Sequence, residues 1–305
     1  ADFSSVPDEM KSSVMDIVGN EMNQVWSKHK WDIGRTDKIT HEIKTEPGVT
    51  VKDKKRPIPF QREQYARKAV NTLMKYKLVS PVYNSKWATN LVLVQKPAEG
   101  ELRDTTKASR ILNKHRNTKC TWRLTQDLRR VNNTTTNIYK ANLPTIDEII
   151  SKCRNKIVTQ FDINQAYYTI PLKNKEKTTF YLNQNMYQWD VMTQGLAGAP
   201  HTWTTFMQLI FCDETLKEYR ETFPERGKRI KEKHWSEFLS IYMDDLDIFS
   251  DTPKENLDHT HAVFWVLKKE GCLLNPKKAS FMVTNFTTLG VNINTKENSV
   301  SIDKK

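Results

Sequence analysis

Two adjacent acidic residues, Asp244 and Asp245, lie within a strongly apolar stretch that reads FLSIYMDDLDIF. Burial of an unpaired negative charge is costly in free energy. The two carboxylates must therefore be solvated, paired with basic groups or bound to cations. A plain hairpin turn is the alternative interpretation, because aspartate is common in turns.

A third carboxylate, Asp162, has an equivalent setting in the segment QFDINQAYYTI, where it ends an apolar run. Its alternative role is a helix cap or a turn. Acids at the ends of separate strands are suitable ligands for hard divalent cations such as Mg²⁺. Two such ions about 4 Å apart can stabilise both the attacking and the leaving oxygen of a phosphoryl transfer.

The elements that must position these acids alternate between strands and helices without regular βαβ spacing, which favours an α+β fold. Apolar runs on both sides of Asp244 and Asp245 predict two strands joined by a tight turn. Pro200 suits a first helical turn, and the apolar residues after it follow helical spacing. The other predicted elements are a helix over 57–79 with Tyr65, Ala69, Leu73 and Tyr76 on its apolar stripe, strands at 87–94, 122–128 and 157–163, a short helix at 144–151, a charged surface insertion over 213–234, a helix over 259–269 and strands within 281–293.

Positive charge is unevenly distributed along the 305 residues. Lys and Arg number 48 against 36 Asp and Glu, a formal net charge of +12. Basic residues concentrate at 107–130, 52–56 and 226–233. Such clusters favour a polyanionic partner, because binding of Lys and Arg to phosphates releases counterions.

Other features of the sequence exclude several classes of protein. The hydrophobic content of 37% argues against a wholly disordered chain. No apolar run approaches the ~18 residues of a membrane-spanning helix, and the first residues lack the apolar block of a signal peptide. The four cysteines are widely scattered, which fits neither a disulfide framework nor a zinc site. These features predict a protein of a reducing, cytoplasmic compartment with no membrane partner.

Six segments resemble, in the same order, the polymerase motifs of reverse transcriptases from retroviruses and Gypsy-like LTR retrotransposons. They are WRLTQDLRRVN (122–132), QFDINQAYY (160–168), TQGLAGAP (193–200), IYMDDL (241–246), LNPKKASF (274–281) and TLGVNI (288–293). The resemblance covers about residues 41–293 and is far more specific than the YMDD sequence alone.

The resemblance implies a role for each matching residue. Asp162, Asp244 and Asp245 are the expected catalytic residues and ligands of two Mg²⁺ ions, for which Mn²⁺ can substitute. Tyr167 is the expected aromatic gate that excludes ribonucleotides, although ordinary core packing is its alternative. The expected nucleotide-binding residues are Lys96, Arg123, Tyr167, Gln194, Gly195 and Lys278, with Arg116 and Lys119 as alternative phosphate ligands, and the expected primer grip is Leu289, Gly290 and Val291.

The resemblance also implies an architecture, the fingers and palm of a right-hand polymerase, with an antiparallel palm sheet backed by helices. The expected boundaries are an N-terminal extension at 1–40, fingers at 41–135, a palm at 136–293 with some fingers residues around 163–190, and the start of a thumb or connector at 294–305. The implied partners are an RNA/DNA template-primer, deoxynucleoside triphosphates, a second subunit of a homo- or heterodimer, and thumb and RNase H domains of the same polyprotein. A retroelement or viral particle is the implied location.

The expected function is therefore RNA- and DNA-templated DNA synthesis. One alternative is a non-catalytic, nucleic-acid-binding subunit of a reverse transcriptase dimer. An RNA-virus polymerase is disfavoured, because the bulky ring of Tyr167 opposes ribonucleotides. A basic packaging protein gives no reason for acids flanked by apolar residues. Two further side chains have open roles: Lys278 is a proton donor or a plain surface lysine, and Asp247 is expected to face solvent or a salt-bridge partner rather than support a metal.

Overall fold

The computed structural model of the protein describes residues 1–95, 122–136, 138–230 and 232–302, which form two compact units. Among the described residues, the first unit comprises 1–41, 138–171, 198–230 and 232–302, and the second comprises 42–95, 122–136 and 172–197. The α-helices are α1 (Asp8–Met15), α2 (Phe60–Lys75), α3 (Arg129–Thr134), α4 (Ile146–Cys153), α5 (Ala199–Ile210), α6 (Asp213–Thr222), α7 (Pro224–Ile230), α8 (Trp235–Phe238) and α9 (Pro253–Lys269). The strands are β1 (Val79–Val82), β2 (Thr89–Gln95), β3 (Trp122–Gln126), β4 (Ile157–Asp162), β5 (Phe180–Leu182), β6 (Asn185–Trp189), β7 (Leu239–Tyr242), β8 (Asp245–Ser250), β9 (Ser280–Val283), β10 (Asn285–Thr288), β11 (Val291–Asn294) and β12 (Ser299–Ile302).

A four-stranded sheet organises the first unit, with the strand order β7-β8-β4-β9 and antiparallel pairing throughout. Because side chains alternate along a strand, the two faces of β4 have separate partners. On one face, Phe161 packs against Phe264 of α9 with ring centroids 4.9 Å apart. The other face belongs to a buried cluster shared with α4 and the β10–β11 hairpin, whose members are Ile149, Cys153, Val158, Phe249, Val283, Phe286 and Ile293.

Two of the helices around this sheet, α4 and α9, begin at residues whose side chains cap them. Thr145 forms a capping box with Glu148 at the start of α4, and the Thr252 side chain caps α9. The cap at Thr252 makes α9 begin earlier than the predicted residue 259. The apolar stripe expected after Pro200 is buried on α5 as Trp203, Phe206, Met207 and Ile210.

The charged segment 213–234 is only partly a surface insertion. It folds into α6 and α7, and Leu216, Tyr219 and Ile230 are buried. The Tyr219 hydroxyl lies 2.9 Å from Nδ1 of His261 on α9, and Arg229 donates to Asp258 of the same helix. The expectation of a plain surface segment is wrong because apolar residues at helical spacing lie among its charges.

The N-terminal residues 1–41 pack within the first unit. After α1, a π-helical turn and a 3₁₀ turn lead to Trp26. The Trp26 ring lies edge-on to Phe161 and Phe264, with centroid distances of 6.0 Å and 5.4 Å. This segment therefore contributes to the core behind the sheet.

The second unit is built on a five-stranded sheet with the order β1-β6-β5-β2-β3. Strands β2 and β3 pair antiparallel, as the sequence predicts, whereas β2 and β5 pair parallel. The predicted helix over 57–79 is observed as α2, but its buried face contains Ala66, Val70 and Leu73. Tyr65 is exposed, so its assignment to the apolar stripe is wrong.

These elements form an α+β fold, as the sequence predicts. No helix in the described ranges combines the length and apolar character that a membrane span requires.

Candidate active site

Strand pairing brings the predicted acidic residues of the first unit together. Asp162, the last residue of β4, pairs directly with Asp245, the first residue of β8. Directly opposed residues of an antiparallel pair have their side chains on the same face, with Cβ atoms about 4.5–5.5 Å apart. The backbone N–H of Ile163 also donates to the carbonyl oxygen of Asp244 at 2.8 Å. The sheet thus brings Asp162 to an acidic pair that is distant from it in sequence.

The turn that carries Asp244 has an unusual backbone. Met243 adopts a φ of 56°, in the left-handed region that residues other than glycine rarely occupy. The turn joins the end of β7 to Asp245, the first residue of β8. The conformation of Met243 therefore sets the direction of the chain at Asp244 and Asp245.

Lys278 contacts Asp162 directly. Its Nζ atom donates to Oδ2 of Asp162 at 2.5 Å, and the lysine side chain is 59% exposed whereas that of Asp162 is 8% exposed. Burial raises the pKa of Asp162, and this effect exceeds the opposing effect of the Lys278 hydrogen bond. Burial lowers the pKa of Lys278, but the hydrogen bond to Asp162 and the nearby carboxylates more than compensate and raise it. Lys278 is therefore a charged partner of the site and not an isolated surface lysine.

Negative charge is crowded around Asp245. Although the Asp245 residue is exposed, the pKa of its carboxyl is raised to about 6, first by partial loss of solvation against neighbouring protein atoms and then by the charge of Asp244. Asp162 and Asp247 raise the pKa further. In the described part of the chain, no three His, Cys, Asp or Glu side chains already lie in metal-ligand geometry. The donor set still fits Mg²⁺, because it consists of carboxylates whose mutual repulsion a cation would relieve.

Asp247 differs from its sequence-based expectation. It is buried, with 3% exposure, and accepts hydrogen bonds from Nε2 of Gln160 at 2.7 Å and from Oγ1 of Thr288 at 3.4 Å. Burial raises the pKa of Asp247 to about 6, against the opposing effect of these hydrogen bonds. The expectation of a solvent-facing or salt-bridged side chain is wrong because the β10–β11 hairpin covers this face of β8.

Tyr167 lies in a 3₁₀ turn, Ala166–Thr169, that follows the end of β4. Its hydroxyl is 4.0 Å from Sδ of Met243, and its ring centroid is 6.4 Å from that of Trp203. Burial, followed by the charge of Asp244, raises the pKa of Tyr167 to about 12. The ring therefore lies beside the acidic turn and keeps a neutral hydroxyl.

The second unit contains the predicted residues Arg123, Gln194 and Gly195. An Arg123 guanidinium N–H donates to Oε1 of Gln194, so the fingers motif and the Gln-Gly motif are in contact. Gly195 has a φ of +93°, which a residue with a Cβ atom adopts only with strain. Lys96, Arg116 and Lys119 lie outside the described residues.

Sequence reasoning did not single out Asn132, although this residue ends the quoted fingers motif. Its side-chain amide donates to the Gly195 carbonyl at 2.8 Å and accepts from the Ala197 backbone N–H at 3.0 Å. Asn132 therefore fixes both sides of the loop that follows Gln194. Its position as a polar residue within α3, shortly after Arg129 and Arg130 of the fingers motif, is the sequence signal that points to it.

Of the predicted primer-grip residues, Leu289 and Gly290 form the turn between β10 and β11 in the first unit, and Val291 begins β11. Leu289 and Gly290 have positive φ angles of 52° and 76°, and Leu289 and Val291 pack against the buried cluster of the sheet. The hairpin is thus held against the face of β8 that carries Asp247.

The fold is that of the fingers and palm of a right-hand polymerase. The antiparallel sheet with the acidic turn at a strand end corresponds to the palm, and the unit that contains the β2–β3 hairpin corresponds to the fingers. The family model described as reverse transcriptase (RNA-dependent DNA polymerase) matches residues 110–293, more than half of the chain. The chain belongs to this family.

Curated relatives are viral polyproteins. Polyprotein P3 of Commelina yellow mottle virus is 24% identical over 289 residues, which is 93% of this chain and 13% of the relative. The enzymatic polyprotein of figwort mosaic virus (strain DxS) is 26% identical over 155 residues, 50% of this chain and 20% of the relative. The chain therefore spans a small part of the length of these relatives.

Solved structures share the fold. The foamy viral protease-reverse transcriptase in complex with an RNA/DNA hybrid superimposes with a TM-score of 0.71 at 18% identity, covering 95% of this chain and 33% of that chain. A second structure of the foamy viral protein, in complex with double-stranded DNA, gives a TM-score of 0.74 at 18% identity, covering 98% of this chain and 45% of that chain.

Proposed function

We propose that this chain forms the fingers and palm of an RNA- and DNA-templated DNA polymerase that extends a primer with deoxynucleotides. The observation that carries the proposal is the direct pairing of Asp162 with Asp245, next to Asp244 on a left-handed turn. The foamy viral structures that share the fold are bound to an RNA/DNA hybrid and to double-stranded DNA. These complexes support a template-primer duplex as the partner of this chain.

Asp162, Asp244 and Asp245 would hold two Mg²⁺ ions, and Mn²⁺ can take their place. When bound, such ions neutralise phosphate charge and stabilise the attacking and leaving oxygens of a phosphoryl transfer. Lys278 has a second part in this proposal. Its exposed side chain can leave Asp162 for solvent, which frees that carboxylate as a ligand, and its raised pKa keeps it protonated as a candidate proton donor to pyrophosphate.

Several residues are proposed to hold the incoming nucleotide. Arg123 can bind phosphate oxygens bidentately through its planar guanidinium group. Gln194, held by Arg123, would contact the nucleotide or the template, and Gly195 would let the backbone approach closely. Tyr167 would pack beneath the sugar and leave no room for a 2′-hydroxyl. Lys96 completes the proposed triphosphate site.

Leu289, Gly290 and Val291 would position the primer strand. The proposed further partners are thumb and RNase H domains of the same polyprotein and a second subunit of a dimer. The viral polyproteins among the relatives support a location within a retroelement or viral particle.

Single-nucleotide extension tests the proposal. The 305-residue chain is incubated with Mg²⁺, one deoxynucleoside triphosphate and a primer annealed to RNA or DNA. We expect extension on both templates. Asp244→Asn is expected to reduce the rate by about a hundredfold to a thousandfold, because removal of an electrostatic stabiliser of the transition state costs this order of rate.

Asp251→Asn provides the matched control. Asp251 lies just beyond the other end of β8, is exposed and pairs with Lys156. This substitution is expected to leave extension within about twofold, in keeping with the small contribution of an exposed ion pair. Retained extension by Asp244→Asn would contradict the assignment of the catalytic acids.

One observation favours the alternative function, a non-catalytic subunit. The Lys278 ion pair occupies Asp162, an arrangement that a structural subunit can keep permanently. Duplex binding by the wild-type chain without extension would support this alternative and overturn the polymerase proposal.

A further inference from the structure

Trp203 links α5 to the acidic turn of the first unit. It is 1% exposed, and its indole Nε1 donates to the carbonyl oxygen of Met243 at 2.5 Å. This is a hydrogen bond from a side chain to the backbone across 40 residues of sequence. The residue that accepts it immediately precedes Asp244.

Met243, the residue that accepts this hydrogen bond, has a strained backbone. Met243 has a φ of 56°, a conformation that persists in a side-chain-bearing residue only when the surroundings hold it. The Met243 carbonyl is partly buried, and leaving it without a donor would also be costly. The Trp203 N–H meets both requirements, because it pairs the carbonyl and fixes the direction of the peptide.

The ring of Trp203 makes separate contacts. Its centroid lies 6.4 Å from the Tyr167 ring and 5.6 Å from the Phe206 ring. Phenylalanine at position 203 would preserve an aromatic ring among these neighbours but lose the N–H. The effect of the hydrogen bond can therefore be separated from that of the packing.

We propose that Trp203 is a positioning residue, whose indole N–H holds the left-handed turn at Met243 and thereby presents Asp244 and Asp245 to the cations and the reacting phosphate. This inference rests on the proposed polymerase function. Trp203 does not touch the substrate in this assignment, and its effect passes through the Met243 carbonyl.

The test is Trp203→Phe in the 305-residue chain. We expect kcat for single-nucleotide addition to fall about tenfold, the effect of one hydrogen bond to the backbone. The KM for the deoxynucleotide is expected to stay within about twofold, because no substrate contact is removed. Direct Mn²⁺ binding, measured by electron paramagnetic resonance without nucleotide, is expected to weaken severalfold.

The matched control is Trp235→Phe. Trp235 is also buried in the first unit and donates through Nε1 to a backbone carbonyl, that of Cys212, at 2.9 Å. It makes no hydrogen bond to the acidic turn among the described residues. Similar thermal unfolding midpoints for the two variants, with loss of Mn²⁺ affinity only for Trp203→Phe, would separate positioning from general packing.

Rescue provides a second variant. Asparagine tolerates the left-handed conformation better than methionine. We expect Trp203→Phe to cost less in kcat when combined with Met243→Asn than in the wild-type background. Equal costs in the two backgrounds would overturn the inference.

A measurement on the wild-type chain keeps the inference testable if Trp203→Phe fails to fold. The indole N–H of Trp203, followed by nuclear magnetic resonance, should exchange slowly with deuterium. Rapid exchange would refute the hydrogen bond.

Unchanged Mn²⁺ affinity in Trp203→Phe, together with its loss in Asp244→Asn, would refute only the role of Trp203. Unchanged affinity and extension in Asp244→Asn would refute the proposed function itself.

Discussion

Replacement of Asp247 by asparagine should stabilise the protein at neutral pH. Asp247 is a buried carboxylate, and its pKa is raised from 3.8 to about 6. Such an increase means that folding disfavours the charged form by about 3 kcal/mol. The introduced asparagine would be neutral and could still accept the Gln160 hydrogen bond. We therefore expect Asp247→Asn to raise the free energy of unfolding by about 1–3 kcal/mol at a pH of about 8.

The pH dependence gives this prediction its sign. Above a pH of about 6 the folded wild type holds a buried negative charge, which is well solvated in the unfolded chain. As the pH falls from about 6 towards about 4, the Asp247 carboxyl takes up a proton in the folded state first. Below the unfolded pKa it is neutral in both states. The advantage of Asp247→Asn should therefore be greatest above a pH of about 6 and should disappear towards about 4.

Urea-induced unfolding, followed by far-ultraviolet circular dichroism between pH values of about 4.5 and 8, measures this difference. The difference between variant and wild type cancels the titration of the other groups. Asp251→Asn, at an exposed position, should change the free energy of unfolding by no more than about 1 kcal/mol. A destabilised Asp247→Asn at the upper end of this range, or a pH-independent difference, would refute the reasoning.

Two further substitutions test a proposed nucleotide-binding residue, Tyr167, and a residue that supports the loop around Gly195, Asn132. Tyr167→Val should increase the kcat/KM for ribonucleotides relative to deoxynucleotides by at least about tenfold. This factor corresponds to a steric exclusion of slightly more than about 1 kcal/mol. An unchanged ratio in single-nucleotide extension would refute the assignment of Tyr167 as the gate. Asn132→Ala should lower the free energy of unfolding by about 2 kcal/mol, because two hydrogen bonds to the loop around Gly195 are lost. The same variant should raise the KM for the deoxynucleotide, and a change in stability without a change in KM would limit Asn132 to a structural role.

Local features of the fold could be predicted where short-range chemistry decides the structure. Thr145 with Glu148 forms a capping box, and Pro200 is followed by the stripe that α5 buries. The apolar runs around the acidic pair predicted β7 and β8, which are observed. In each case the period of the pattern or the capping residue acts within a few residues. The expected domain boundaries remain predictions.

Burial of polar residues could not be predicted in the same way. Aspartate in a strand is usually exposed. Asp247 is nevertheless buried, because Thr288, which is distant in sequence, lies over it. The charged helices α6 and α7 bury Tyr219 against His261 of α9. The face of α2 also differs from the prediction, since Tyr65 is exposed. Whether a position is buried depends on segments that are remote in sequence.

Motif order and residue periodicity are local properties. The sequence by itself therefore determined the family and many of the strands and helices, and it singled out Asp162, Asp244 and Asp245 as the proposed metal ligands. Only the tertiary structure decided the pairing of Asp162 with Asp245, the ion pair with Lys278 and the bond from Trp203 to the acidic turn. The two side-chain contacts join residues 40 and 116 positions apart. Residues so far apart in sequence come into contact only when several elements bury their apolar faces together. The burial of apolar surface must offset the chain entropy that is lost when the intervening loop is closed.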